Sequence, residues 1–531
     1  MGSFPTKTVD IPGACGEVKS FERETLPAVM GPSLNRTVGM EETAEKRKTG
    51  QGGFTLRVFF IVFVEFCERI SFFGLRLLLP SYLNRRLFFT EKSTTITVHL
   101  FSFGCFFSPL LGGVLSDNLL GRYRTIVSFL CVFFVGACFL FFSAVYEAGS
   151  VGCLCGLALV AAGTGGIKPC ISSFGADQFP RESMHLLPVF FSVFYVVINV
   201  GSMISMCVIP LVTNSVSCFG RDQCYPLGFG IPAALIGAAL FCFVLFSGIY
   251  VRREATGGLF CGIVGAWWCS VCSKKGNALF WMNAAPEYSE EFLQDVMRLM
   301  SLLGVISPLV FFWALYEQQG SSWVFQGKKL DGGFMLFSGS FTVYAEQMLV
   351  LNTVLVIVLV PVVEKWICPF FGRYFSAPTL FGRMRTGMVF GVVSFLCAAV
   401  LEAEIMKRGA GRVSLLWQIP QFFFMALAEV LVAVPGLSLV YTEAPETMKS
   451  LCLAGWFMAI AFGNIIVIFF EMTETASFGE ERKNIFIFSL YAGLLGVFSV
   501  VFVLLSSLFE ARSRESVSKD GADPRVFETE D

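Results

Sequence analysis

Twelve long apolar runs, recurring about every 30 to 40 residues between Phe54 and Phe509, constrain this chain more than any other feature. Each comes near the roughly 20 residues that a helix needs to cross a bilayer, where backbone polar groups have to be satisfied within the segment. The spans read as 54–80, 94–115, 124–146, 151–174, 187–213, 228–251, 298–319, 343–364, 385–405, 414–440, 449–471 and 484–509. Composition agrees, with 55% hydrophobic and only 15% charged residues and a mean hydropathy of +0.69. The expectation is an all-α membrane protein of twelve transmembrane helices, with the lipid bilayer as its first partner. A net charge of −1 and the lack of a basic tail exclude a nucleic-acid partner.

Residues 1–53 are polar and read as a disordered cytosolic tail, and the start "MGSFPT" fits a short myristoylation pattern. A six-helix unit at 54–251, a cytosolic linker at 252–297, a second six-helix unit at 298–509 and a cytosolic tail at 510–531 follow. Lys and Arg concentrate near the spans on the even-numbered loops and the tails, which puts both termini in the cytosol. The plasma membrane is the first expectation and an internal membrane the second. Within the linker, "LFCGIVGAWWCSVCSKK" reads either as an interfacial segment or as a packed loop. Its "CSVC" has no second ligand pair, so no metal site is expected. Cys218 and Cys224 flank "FGRDQ" in an external loop and are either a disulfide or two free thiols.

A repeat points to duplication. The loop "GGVLSDNLLGRYRT", with Asp117 and Arg122 as candidate conformational-loop residues, is echoed by "FGRMRTG" between the eighth and ninth spans. Two halves with related loops indicate a carrier with its site between them. The stretch "EFCERISFFGLR" supplies the chemistry: Glu65, Glu68 and Arg69 share one helical face, and Arg76 returns to the same side. Ionisable groups at membrane depth cost at least roughly 2.5 kcal/mol each, so this face lines a protein interior or an aqueous cavity. Lys168, Asn199, Glu317, Asn352 and Glu429 add polar groups from other spans. No nucleophile–base set or phosphate loop appears, so no catalytic residue is expected and the protein is not read as an enzyme.

These residues carry a resemblance. "EFCERISFFG" resembles the ExxERFxYYG motif of the proton-coupled oligopeptide transporter family, within the major facilitator superfamily. "GTGGIKPCISSFGADQF", "FFSVFYVVINVGS", "FWALYEQQGSSW" and "EAPETMKSLCLAGW" are similar to its other motifs, from about 54 to 509. The resemblance implies the major facilitator fold and proton-coupled uptake of di- or tripeptides, with protons as coupling ion and no other cofactor. It implies proton coupling at Glu65, Glu68, His99 and Glu317. Substrate contacts would come from Arg69, Arg76, Lys168, Tyr195, Asn199, Trp313, Asn352, Ser438 and Trp456.

The chain also departs from the pattern. Phe72 and Phe73 replace two tyrosines, Phe106 a third, and Ser301 an arginine that would face an acid at Glu364. Ser438 is read as standing where peptide-carrying members have a glutamate for the substrate amine. Glu429 lies nine residues earlier, about 13.5 Å and a half-turn away on a regular helix, so it is expected on the opposite face. Two alternatives follow: a carrier of another small anion such as nitrate or an organic acid, and a nutrient-sensing receptor on the same fold.

Overall fold

The computed structural model describes residues 56–519, apart from 147–148, 180–186, 253–258, 273–286, 337–338, 375–378, 446–447 and 474–479. The expected tail at 1–53 and its myristoylation pattern lie outside the described residues. Six helices form the first half: α1 (Leu56–Arg85), α2 (Glu91–Leu115), α3 (Gly121–Tyr146), α4 (Gly149–Ala176), α5 (Leu187–Ser215) and α6 (Tyr225–Leu245). A linker helix, α7 (Leu259–Cys272), precedes the second half. That half comprises α8 (Glu290–Ile306) and α9 (Leu309–Lys328), then α10 (Ala345–Phe370), α11 (Leu380–Arg408), α12 (Ile419–Glu443), α13 (Lys449–Met472) and α14 (Glu480–Lys519).

Among the described residues, ten helices are long and apolar enough to cross a membrane, and the bent pair α8–α9 makes an eleventh span. Helix α1, 30 residues long but carrying the charges of "EFCERISFFGLR", is the twelfth. The chain is therefore an all-α, multi-pass membrane protein of two six-helix bundles. Each half has its own hydrophobic core, one drawn from residues between Val58 and Tyr250 and the other from residues between Ile263 and Phe502.

Local chemistry sets the helix ends. Thr90 caps α2 by accepting from the Ser93 amide at 3.1 Å, with Glu91 in the first turn. Thr379 caps α11 in the same way through the Gly382 amide at 3.0 Å. Gly409, at φ +88°, ends α11 in a conformation that side chains disfavour. Helices approach where bulk is missing: a Cβ on Gly112 of α2 would stand 2.6 Å from the Gly166 Cα of α4. Such small-residue contacts let membrane helices gain close packing where burial from water offers little.

The duplication read from the loops has a backbone counterpart. Helix α2 leads into a π-turn at Ser116–Leu120, and α10 contains one at Val363–Ile367. The arginine after each pairs within its own half, Arg122 with Asp177 and Arg383 with Glu364.

Four features refine or add to the sequence reading. The seventh span, read as 298–319, is two helices meeting at 52°, because Pro308 at the break cannot continue the α-helical hydrogen bonding. Ser289 caps α8 by accepting from the Phe292 amide, and Glu290, Glu291, Asp295 and Arg298 on this amphipathic helix interrupt the apolar run that marks a span. The linker carries a helix that combines both readings of it: Ile263 and Ala266 are buried, Ala266 in a small core with Leu293, while Trp267 and Trp268 are exposed. Helix α14 runs to Lys519, so the tail read from 510 is helical at its start.

The fourth feature is a two-stranded hairpin between α9 and α10, β1 (Gly333–Leu336) and β2 (Gly339–Thr342), with Gly333 opposite Thr342. Its base is tied to the short α11–α12 connection: the Asp331 amide donates to the Val413 carbonyl, and the Leu415 amide to the Asp331 carbonyl, each at 2.8 Å. Below it, buried Glu402 accepts from Lys329 at 2.9 Å, Gln326 at 3.0 Å and Asn484 at 3.2 Å. Cys218 and Cys224, left open by the sequence, are disulfide-bonded.

Candidate functional site

Helix α1 presents its charged face inward. Glu65, Glu68 and Arg69 are all under 10% exposed, and Arg69 bonds both acids, Glu65 at 2.9 Å. The Thr164 hydroxyl of α4 donates to Glu68. Two carboxylates sharing one guanidinium leave the cluster with one negative charge more than it cancels, so it can accept a proton without an unpaired cation appearing. Two turns on, Arg76 crosses to the second half and pairs with Glu317 of α9.

Arg76 also lines a cavity of about 160 Å³ enclosed by α1, α5, α9, α10 and α12. Asn199, Tyr316, Gln319, Asn352 and Glu429 line it with Arg76. Glu429 accepts from the Tyr316 hydroxyl at 3.0 Å and from Asn352 Nδ2 at 2.9 Å. The buried Asn352 Oδ1 has no partner. The lining thus combines a carboxylate and an amide oxygen from the second half, Glu429 and Asn352, with the Arg76 guanidinium from the first. This geometry accommodates a small molecule with a cationic and an anionic end.

On α12, Glu429 and not Ser438 reaches the cavity. Glu429 faces the cavity, whereas Ser438 is exposed, is absent from the lining of this cavity, and offers its carbonyl to the Thr442 hydroxyl at 2.9 Å. A half-turn offset does put the two residues on different sides of α12, but the cavity lies on the Glu429 side, between α10 and α9. A lone carboxylate in the middle of an apolar span is the sequence signal for it.

His99 of α2 is fully buried between the halves, its Nδ1 2.7 Å from Asn464 Oδ1 of α13 and its Nε2 2.8 Å from the Ser321 hydroxyl of α9. Asn464 spends its Nδ2 on the Ile460 carbonyl, which leaves Oδ1 as an acceptor and assigns the Nδ1 proton to neutral His99. The Ser321 hydroxyl then donates to Nε2, and can turn to accept if that nitrogen gains a proton.

Lys168 of α4 lies beside the Phe72 and Phe106 rings and lines a second cavity of about 290 Å³, together with Pro109, Phe457 and the linker residue Phe260. Trp313 and Trp456 pack edge to face, centroids 5.7 Å apart, within the core of the second half. They are not among the side chains lining either cavity. Tyr195 is 55% exposed and outside both linings, its carbonyl accepting from Asn199 Nδ2 at 2.8 Å. Arg122 pairs with Asp177; the Asp117 side chain lies outside the described residues. Glu364 pairs with Arg383, and Ser301 is exposed.

Comparison with known proteins bears on this arrangement. The family model described as the POT family matches residues 123–484. Solute carrier family 15 member 2 of Danio rerio is 34% identical over 395 residues, covering 71% of this chain and 54% of that protein. Peptide transporter 3 of Caenorhabditis elegans is 34% identical over 363 residues, covering 66% and 51%. The chain spans about half the length of the curated relatives it matches. An auto-inhibited POT family peptide transporter has the same fold, with a TM-score of 0.75 at 25% identity over 85% of this chain and 96% of that one. The POT family transporter PepTSo gives 0.77 at 24% identity over 87% and 99%, a likeness of fold alone. The match runs from the start of α3 into α14 and takes in both halves of the major facilitator fold, and on that ground the chain belongs to the POT family.

Proposed function

We propose that this protein is a proton-coupled symporter of di- and tripeptides or related amino-acid derivatives, working by alternating access. The observation that carries the reading is one cavity lined by Glu429, the free Asn352 Oδ1 and Arg76. The acceptors suit a peptide's ammonium and the guanidinium its carboxylate. Relatives named as peptide transporters supply the same substrate class by analogy.

Coupling follows from the contacts between halves. Ionised Glu317 holds Arg76, and Ser81 of α1 donates to Glu346 at the start of α10, so the halves are tied on the hairpin side. A proton on Glu317 removes the charge attraction and frees Arg76 for the cargo carboxylate. Glu65, Glu68 and His99 complete the proton-handling set. The halves then rock about the cavity. The linker side faces the cytosol with both termini, and the plasma membrane is the working location. Protons are the coupling ion, and no other cofactor takes part.

The anion-carrier alternative assumes no amine-binding carboxylate, and the presence of Glu429 in the cavity lining supports the peptide reading over it. Competition decides between the readings: uptake of a labelled dipeptide into proteoliposomes is blocked by unlabelled dipeptide, weakly by its N-acetyl form, and not by nitrate. Equal block by all three contradicts the proposal.

A further inference from the structure

Lys168 stands apart from the charge cluster next to it. Arg69 serves both Glu65 and Glu68, and Thr164 takes a further oxygen of Glu68. Among the described residues Lys168 forms no ion pair with a carboxylate. Its ammonium instead lies 4.4 Å from the centroid of the Phe72 ring and 4.5 Å from that of Phe106. Phe72 is fixed in turn, 2% exposed and set edge to face on Phe73 with centroids 5.3 Å apart.

A ring face attracts an ammonium through its quadrupole, and more strongly where water is excluded. It offers no lone pair, so the three N–H donors of the lysine are not spent on it. A carboxylate at either place would take one. Lys168 is therefore held in position with its hydrogen-bonding capacity unused, at the wall of the 290 Å³ cavity.

We propose that Phe72 and Phe106 are positioning residues: they clamp Lys168 between two ring faces and keep it as an open cation, which joins Arg76 in holding the anionic end of the cargo when the halves rock and their separate cavities meet. The choice of a peptide as cargo rests on the reading above; the clamp does not. It follows that the carboxylate end of the cargo is selected partly by two residues that never touch it.

The test compares equilibrium binding of a dipeptide and of its C-terminal amide to the purified full-length protein. Phe72→Leu and Phe106→Leu each weaken the free acid about threefold to tenfold, the range expected for one desolvated cation–π contact, and leave the amide within about twofold. Phe72→Tyr and Phe106→Tyr keep a ring face and stay nearer the native affinity than the leucine variants. In a Lys168→Gln background the leucine substitutions have no further effect on the free acid. Equal weakening of acid and amide, or losses that simply add to that of Lys168→Gln, would mean ordinary packing and overturn the clamp.

A second readout needs no cargo. After reductive [13C]methylation, the Lys168 signal, assigned by its loss in Lys168→Arg, lies upfield of exposed lysines through ring currents and moves toward them in either leucine variant. If the native protein gives no such upfield signal, the clamp is wrong. If it does and neither peptide form binds, the peptide reading fails and the clamp stands.

Discussion

Arg76 of α1 and Glu317 of α9 form an ion pair that joins the two halves of the molecule, with the Glu317 side chain 2% exposed and that of Arg76 17%. Removing one member leaves the other charge buried without its partner, which costs about 3–5 kcal/mol, whereas removing both avoids that penalty. Arg76→Ala should therefore lower the apparent melting temperature in detergent more than Arg76→Ala/Glu317→Ala does. An additive loss in the double variant would show that the two charges do not depend on each other.

Glu429 and Ser438 give a second, sharper contrast on one helix. Glu429→Gln should weaken dipeptide binding at least tenfold, about 1.4 kcal/mol or more. Ser438→Ala should stay within about twofold, because Ser438 is absent from the cavity lining. Titration of both variants with the same dipeptide checks this, and the reverse ranking would restore Ser438 to the site.

How far the site can be read from the sequence follows from what a sequence encodes. Spans appear because apolar length is local information, and the polar face of α1 appears because Glu65, Glu68 and Arg69 sit within one turn. The side of α12 that meets the cavity is not local: it depends on where α9 and α10 stand, so a helical-wheel argument set Glu429 aside. Trp313 and Trp456 show the same limit in the other direction, since aromatic residues near a motif pack in the core of the second half. The break at Pro308 was legible as a proline, but a bend of 52° with helix resuming on both sides was not. Phe72 and Phe106 read as losses of hydroxyl groups; only their shared distance to Lys168 reveals a common role.

Glu402 should prove structural and not transport-specific. It is 4% exposed and accepts from Gln326 of α9, from Lys329 just beyond that helix and from Asn484 of α14, beneath the hairpin. Glu402→Ala leaves the buried Gln326 amide and Lys329 without this partner and should destabilise the protein by about 3–5 kcal/mol. Thermal unfolding followed by tryptophan fluorescence would register a lower apparent melting temperature, with the cargo affinity of the surviving folded protein unchanged.

The Cys218–Cys224 bond closes a loop with a sequence separation of 6. On the loop-entropy argument a ring this small contributes about 2–3 kcal/mol. Maleimide should label neither cysteine until a reductant is added, and Cys218→Ser/Cys224→Ser should melt a few degrees lower without loss of uptake. Labelling before reduction would contradict the bond.

The proposed coupling of peptide to proton can be read from the internal pH of proteoliposomes. With a trapped pH-sensitive dye and no imposed gradient, addition of a dipeptide outside should acidify the lumen saturably in the native protein and fail to do so in Glu317→Gln. Uptake of labelled dipeptide with no change in internal pH, or acidification that Glu317→Gln retains in full, would rule out proton symport through Glu317.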